Sequence, residues 1–282
     1  MTMIRILVPA GLLMATGTAT VASAQREPGE QRGLTSLYVE DLTWPEVRDA
    51  IKGGRSTALI YAGSTEQNGP HMAIGKHTFI AHYVAGRIAQ ELGDALVYPT
   101  LPFAPTGDVA ARTGHMRFPG SVSLTGQTFE AVVREVALSA VAAGFHEVYL
   151  MGDHGGGQDE LRHAAASVQA AVRSRGIRVA YLGDLYYKET EQANGYLRSH
   201  GIPIGAHAGA HDTGELMAID SSGRWIRRDK LAPSDSAHFA ETGVDGDPTR
   251  ATPELGQVFL GYKIQDAVAE IRSLRAKPLS RP

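Results

Sequence analysis

Histidine, carboxylate and glycine residues concentrate in a few short segments, and these side chains commonly hold metal ions and transfer protons. The chain has eleven histidines and no cysteine. Any metal site must therefore use histidine, aspartate, glutamate or asparagine, a ligand set that suits zinc, manganese or iron. The histidine-bearing segments are residues 63–77, 152–157 and 207–213. These segments are where we look for chemistry.

Buried strands and amphipathic helices alternate around these segments. Apolar runs predict strands at 57–62, 95–98, 147–151 and 179–182, and helical periodicity predicts helices at 43–53, 77–92, 127–143, 159–175 and 253–275. The glycine- and proline-rich residues 102–120 predict a long loop. The alternation predicts an α/β fold with a mostly parallel sheet, whose ligands bind beyond the carboxyl ends of the strands. We therefore expect the three segments to converge at one edge of the sheet.

The first 24 residues have the pattern of a secretory signal peptide. Arg5 precedes an uncharged apolar stretch that ends in the small-residue cleavage site at 22–24. A membrane anchor is the alternative, but the stretch is short and interrupted by glycine and threonine. We predict a single mature domain, residues 25–282, that is periplasmic or secreted. The net charge of −3 gives no reason to expect nucleic acid or an anionic membrane as a partner.

Five motifs in order resemble those of the creatininase (creatinine amidohydrolase) family. They are G-S-T-E-Q-N-G-P-H (63–71), F-P-G-S (118–121), G-D-H-G-G-G (152–157), H-A-G-A-H-D-T (207–213) and G-V-D-G-D-P (243–248). The resemblance runs from about residue 57 to 256. It implies a three-layer α/β/α sandwich and a metal-dependent amidohydrolase that cleaves non-peptide C–N bonds, as in cyclic amides or formamides. It also implies a homo-oligomer, commonly a hexamer.

The resemblance assigns Glu66 and His154 to the metal and places His77 where the family has a bridging aspartate. Two other family ligands are changed, since Asn68 replaces a histidine and Gly156 an acidic residue. An imidazole offers one lone pair and cannot bridge two cations. We therefore expect one divalent metal per chain, held by Glu66, His77 and His154, with zinc first and manganese or iron as alternatives. Creatinine itself is not the expected substrate, because the members that act on it keep the two-metal ligands.

The resemblance also assigns His207 as the group that protonates the leaving nitrogen. Asp212 replaces a family glutamate, and it orients His207, contacts substrate or reaches the metal. Asp153 replaces a family glycine and is a candidate to orient an imidazole. The amides of 155–157, at a helix start, are candidates to hold a developing oxyanion. The residues assigned to substrate binding are Asn68, His115, Gly155, Gly156 and His211.

These observations lead to the hypothesis of an exported amidohydrolase that uses a metal-activated water. Two alternatives stay open. The same site could act on a C–O carbonyl as a lactonase or esterase, or the fold could serve as a non-catalytic small-molecule-binding protein. Metal binding separates the first two from the third.

Overall fold

A computed structural model describes residues 34–279 of the chain, and the signal peptide predicted at 1–24 lies outside these described residues. The strands are Thr57–Ala62 (β1), Ala95–Val97 (β2), Glu147–Gly152 (β3) and Arg178–Tyr181 (β4). The α-helices are Trp44–Lys52 (α1), Lys76–Leu92 (α2), Gly126–Ala143 (α3), Gln158–Val172 (α4), Tyr187–Ser199 (α5), Ala210–Ile219 (α6), Phe239–Thr242 (α7) and Pro253–Ala276 (α8).

The four strands form one parallel sheet in the order β2-β1-β3-β4. The central pair is in register along its full length, from Thr57 opposite Glu147 to Ala62 opposite Gly152. All six residues of β1 are buried, as a strand covered on both faces must be. The loops that follow β1 and β3 therefore start side by side at the carboxyl edge of the sheet.

Alternate residues of β1 pack into two separate cores. Ala58 and Ile60 belong to a core shared with helices α3 and α4, whereas Leu59 and Tyr61 belong to a core shared with α2 and α8. The period of two along a strand sends neighbouring side chains to opposite faces. The sheet is thus covered by helices on both sides, and the predicted three-layer α/β/α sandwich is confirmed.

Local sequence explains where several helices begin and end. Helix α3 starts where the Thr125 side chain accepts a hydrogen bond from the Thr128 amide, and α8 starts at Thr252 in the same way, followed by proline. Helix α2 ends at Gly93, whose φ of 78° is the left-handed conformation that glycine adopts easily. These capping signals account for the agreement of the predicted bounds of α2, α3 and α8 with the observed ones within one residue.

Two features differ from the sequence prediction. Helices α5, α6 and α7 were not predicted, and residues 207–213 are not wholly a loop, because α6 begins at Ala210. Residues 102–120 have largely irregular backbone, as predicted, with one short 3-10 helix at Gly114–Arg117. Within residues 34–279, no helix combines the length and the apolar character that crossing a membrane requires.

Candidate metal centre

Glu66, His77 and His154 meet at the carboxyl edge of the sheet. Glu66 lies in the loop after β1, His154 lies in the turn after β3, and His77 is in the first turn of α2. Glu66 Oε1 is 3.1 Å from His77 Nε2, and Glu66 Oε2 is 2.8 Å from His154 Nε2. We call these three residues the Glu66 centre.

The donor atoms of the Glu66 centre fit a divalent cation. All three lie within 4.8 Å of one another. A tetrahedral zinc site with bonds of 2.0–2.1 Å places its ligand atoms about 3.3 Å apart, so small movements suffice to admit an ion. Glu66 is completely buried, and its Oε2 atom makes no hydrogen bond although His154 Nε2 is close. A buried carboxylate oxygen without a hydrogen bond is costly, and a bound cation would satisfy it.

The charge of Glu66 also suits a cation. Burial raises the pKa of this carboxyl, but the contacts with His154 and His77 outweigh that effect and hold its pKa well below the ordinary range. Glu66 is therefore an anion at neutral pH, as a metal ligand must be.

The two imidazoles are oriented from behind by partners of their Nδ1 atoms. His77 Nδ1 lies 2.8 Å from Asp153 Oδ2, and His154 Nδ1 lies 3.1 Å from the carbonyl oxygen of Gly156. A proton on His77 Nδ1 leaves a free lone pair on its Nε2 facing Glu66. Hydrogen bonds of this kind fix the tautomer of metal-binding histidines. His154 Nδ1 lies equally close, at 3.1 Å, to the Gly156 amide, which can only donate, so Gly156 holds this ring in place without fixing its tautomer.

Asp153 has a second partner that keeps it ionised. Lys263 of α8 places its Nζ 2.8 Å from Asp153 Oδ1, and both side chains are buried. Burial raises the pKa of Asp153, but Lys263 and His77 together lower it below its ordinary value. The suggestion that Asp153 orients an imidazole thus agrees with its position. Lys263 was not anticipated, because nothing in the sequence links residue 263 to the loop at 153.

His115 and His207 form the other side of the site. Their ring centroids are 4.6 Å apart, and the Gln67 side-chain Nε2 lies 3.0 Å from His115 Nδ1 and 3.2 Å from His207 Nε2. Together with Glu66 they make a second group whose donor atoms lie within 4.8 Å.

The hydrogen bond of His115 and the distances to Glu66 favour the Glu66 centre over this second group. An amide N–H of Gln67 can only donate, so His115 Nδ1 accepts from it and the proton of that ring sits on Nε2. His115 Nε2, 3.8 Å from Glu66 Oε2, then has no lone pair for a metal. His207 Nε2 lies 3.0 Å from the Gln67 backbone oxygen, which can only accept, and 3.2 Å from the Gln67 side-chain amide, which can only donate, so these contacts do not fix where its proton sits. Among these imidazoles, His77 and His154 place an Nε2 atom nearest to the Glu66 carboxylate, at 3.1 and 2.8 Å.

His207 and Asp212 occupy one tightly held turn. Asp212 accepts from Lys76 Nζ and from the Ala208 amide, both at 2.6 Å, and Ala208 has a φ of 54° that is unusual outside glycine. Asp212 thus holds the turn that follows His207, through its contacts with Lys76 and the Ala208 amide. Burial lowers the pKa of His207 to about 4, so this imidazole is neutral near pH 7.

Among the residues assigned to substrate, three reach the cavity and two do not. The cavity has a volume of about 730 Å³, and His115, Gly155 and His211 are among the residues that line it. Asn68 is fully buried and donates to the Glu66 backbone oxygen at 2.9 Å. Gly156 packs where a Cβ would overlap the Pro105 carbonyl oxygen. The structure thus gives Asn68 and Gly156 positions that support the loops, outside the cavity wall.

His211 lines the same cavity as the Glu66 centre but contacts a different pair of carboxylates. Its Nε2 is 2.9 Å from Glu189 Oε1 and 3.5 Å from Glu215 Oε1. The spacing of four between His211 and Glu215 is a helical pattern that the sequence contains, but it becomes visible only once α6 is known. Glu189 comes from α5 and had no sequence signal.

Comparisons with known proteins agree with the motifs. A family model described as creatinine amidohydrolase matches residues 40–271. A relative named mycofactocin precursor peptide peptidase, from Mycobacterium ulcerans (strain Agy99), is 28% identical over 246 residues, covering 81% of this chain and 85% of its own. The creatinine amidohydrolase of Pseudomonas putida is 29% identical over 119 residues, covering 42% of this chain and 45% of its own.

Solved structures show the same fold. The crystal structure of a creatinine amidohydrolase (creatininase) superposes with a TM-score of 0.72 at 21% identity, covering 85% of this chain and 98% of that one. A structure described as creatininase Mn gives a TM-score of 0.71 at 22% identity, with 84% and 98% coverage. With most of its length matched by the family model, the chain belongs to the creatinine amidohydrolase family and is a metal-dependent amidohydrolase by that membership.

Proposed function

We propose that this chain hydrolyses the C–N bond of an amide at a single-cation centre formed by Glu66, His77 and His154. The observation that carries the proposal is the buried Glu66 carboxylate, which faces two imidazoles and has one oxygen without a hydrogen bond. When bound, a divalent cation would acidify a water molecule and polarise the substrate carbonyl. Zinc is the first candidate, and manganese or iron fits the same donors.

His207 is the residue that moves a proton in this proposal. It lines the cavity and is neutral near pH 7, because burial lowers its pKa to about 4. A neutral imidazole has one unprotonated ring nitrogen, which can accept a proton. His207 therefore first accepts a proton and then delivers it to the leaving nitrogen. The original hypothesis gave it only the second step.

The cavity size argues for a substrate larger than one small ring. A volume of about 730 Å³ falls in the range of pockets that enclose drug-sized ligands. Relatives that match most of this chain are named as peptidases of a precursor peptide. We propose a substituted amide or a short peptide as the substrate, alongside the cyclic amides and formamides that the motifs imply. The Gly155 backbone, in the cavity wall, is the candidate donor to the oxyanion.

A metal analysis combined with a substrate panel tests this proposal. The purified chain should contain a divalent metal and cleave amides faster than matched esters. His77→Ala should lower kcat/KM by more than about 100-fold, while His163→Ala, at an exposed position on α4, should not. Faster cleavage of lactones or esters would favour the lactonase alternative. A wild-type chain that binds no metal would favour the non-catalytic binding protein.

We also propose that residues 1–24 direct export and that the mature chain begins at Gln25. Support comes from the charge and apolar pattern alone. The mass of the chain recovered from the periplasm or medium tests this, because an uncleaved chain would keep all 282 residues. Assembly into a homo-oligomer, such as a hexamer, rests on the family resemblance and is testable by light scattering.

A further inference from the structure

Three buried ligand-type side chains lie together outside the Glu66 centre. Glu189 is on α5, and His211 and Glu215 are one turn apart on α6. Their donor atoms lie within 4.8 Å of one another, and all three residues line the same cavity as the Glu66 centre. We call them the α5–α6 cluster. The proposed hydrolysis gives none of them a role.

The facing atoms of the α5–α6 cluster make no hydrogen bonds. Glu189 and Glu215 are only 1% and 2% exposed, yet the Oε1 atom of each lacks a hydrogen-bond partner, as does His211 Nε2. The distances from His211 Nε2 to these oxygens are short, at 2.9 and 3.5 Å, but the ring N–H does not point along either line. Three buried polar atoms that face one another without bonding are costly unless something lies between them.

The local charge also leaves room for a cation. Lys263 contacts two carboxylates, Asp153 at 2.8 Å and Glu215 at 3.2 Å. Counting Glu189 as well, three buried carboxylates lie near one ammonium, and His77 is a further partner of Asp153. A divalent cation at the cluster would balance the remaining negative charge. A buried ion pair is the competing explanation: burial lowers the pKa of His211, but Glu189 and Glu215 outweigh this and raise that pKa well above its ordinary value.

We infer that Glu189, His211 and Glu215 form a second divalent-metal site, separate from the Glu66 centre. Two carboxylates and one imidazole make a ligand set that zinc and manganese accept, and three protein ligands leave a position open to the cavity. The two sites share no ligand. They are joined by one hydrogen-bonded path, in which Lys263 connects Glu215 to Asp153 and Asp153 holds His77.

The inference revises the expected stoichiometry. Loss of the family's bridging aspartate predicts one metal at the Glu66 centre, and the α5–α6 cluster adds a second that needs no bridge. A cation at the α5–α6 cluster would face the same cavity and could bind a carboxylate or carbonyl oxygen of the substrate. The proposed second site depends only on the side chains of the α5–α6 cluster, so it stands even if the Glu66 centre performs another kind of chemistry.

Metal titration of the full metal-stripped chain tests the inference. Mn²⁺ is added and the bound metal per chain is counted by calorimetry and by elemental analysis. The wild type should bind two ions. Glu189→Gln should bind one, with the lost site weakened more than about 100-fold, and His77→Ala should also bind one. Glu191→Gln, at an exposed position on the same helix, is the matched control and should bind two.

The variants also separate this inference from the proposed function. The double variant with both changes should bind none, which assigns one ion to each site. Glu189→Gln does not disturb the Lys263 contacts, and its thermal unfolding shows whether it is folded; if it is not, His211→Gln replaces it in the titration. A wild type that binds one ion, with Glu189→Gln unchanged, would overturn the inference in favour of the buried ion pair. If Glu189→Gln still bound two ions, the second ion would be held elsewhere and the proposed location of the second site would be wrong.

Discussion

Asp153→Asn is the change that most directly tests how the Glu66 centre is built. The substitution keeps the shape of a side chain that is only 3% exposed but removes its charge. His77 then loses the charged acceptor 2.8 Å from its Nδ1, and Lys263 loses a carboxylate at 2.8 Å. One substitution therefore changes both a proposed metal ligand and a buried ion pair.

The structure sets the size of both effects. Loss of a residue that orients a metal-binding histidine typically weakens metal affinity about 10- to 100-fold. Breaking a buried ion pair costs about 3–5 kcal/mol. Glu215 still lies 3.2 Å from Lys263, so we expect a loss nearer to about 2–4 kcal/mol in the metal-free chain.

Two measurements check these values. Competition with a chromogenic chelator gives the zinc affinity, and urea unfolding of the metal-free chain gives the free energy of unfolding. Asp159→Asn is the control, because Asp159 is exposed at the start of α4 and pairs only with Arg162 among the described contacts. If Asp153→Asn matched this control in both measurements, the assignment of Asp153 to His77 would be wrong.

Two further perturbations address the pH dependence and the turn at the site. Burial lowers the pKa of His71 to about 4 from 6.5, so the unfolded chain takes up a proton first as the pH falls. Stability should therefore drop by roughly 2–3 kcal/mol between pH 6.5 and 4. His71→Gln should flatten this part of the unfolding curve, whereas His146→Gln, at an exposed position, should not. Gly156→Ala would press a methyl group into the Pro105 carbonyl and the adjacent imidazole, and we expect at least about tenfold weaker zinc binding. Gly195→Ala, with open space around its Cα, should instead stabilise α5 by about 0.5–1 kcal/mol and leave zinc binding unchanged. If Gly156→Ala bound zinc as well as Gly195→Ala does, the predicted clash at residue 156 would be wrong.

The sheet was predictable because its strands are short, mostly apolar runs bounded by glycine or proline residues. Residues 57–62 are buried on both faces, so the run needs no alternation to be recognised. Helix α5 was missed because its sequence is mostly polar, with Gly195 in its interior. Helix α6 was missed because glycine and threonine lie at its centre. Tertiary packing, such as that of α6 against α8, overrides these weak local preferences.

Residues of the Glu66 centre that lie in sequence motifs were predictable, whereas partners that only tertiary packing brings into contact were not. Glu66 and His154 stand in recognisable loops after adjacent strands. Lys263 is 110 positions from Asp153, and Glu189 is on a helix that the sequence did not reveal. Such partners are set by the arrangement of α5, α6 and α8, which no local pattern encodes.

The changes at residues 77 and 153 become intelligible as a pair. Where the family pattern has a ligating aspartate, this chain has His77, and where the pattern has a glycine, it has Asp153. An imidazole ligand needs an acceptor on its Nδ1, and Asp153 supplies it at 2.8 Å. In this chain the carboxylate is therefore not a candidate ligand itself but a hydrogen-bond acceptor behind the imidazole, and Lys263 balances its charge. Restoring the family pattern at residue 77 alone would place a second carboxylate near Asp153 without a proton between them. We therefore expect His77→Asp to bind metal poorly by itself and better together with Asp153→Gly.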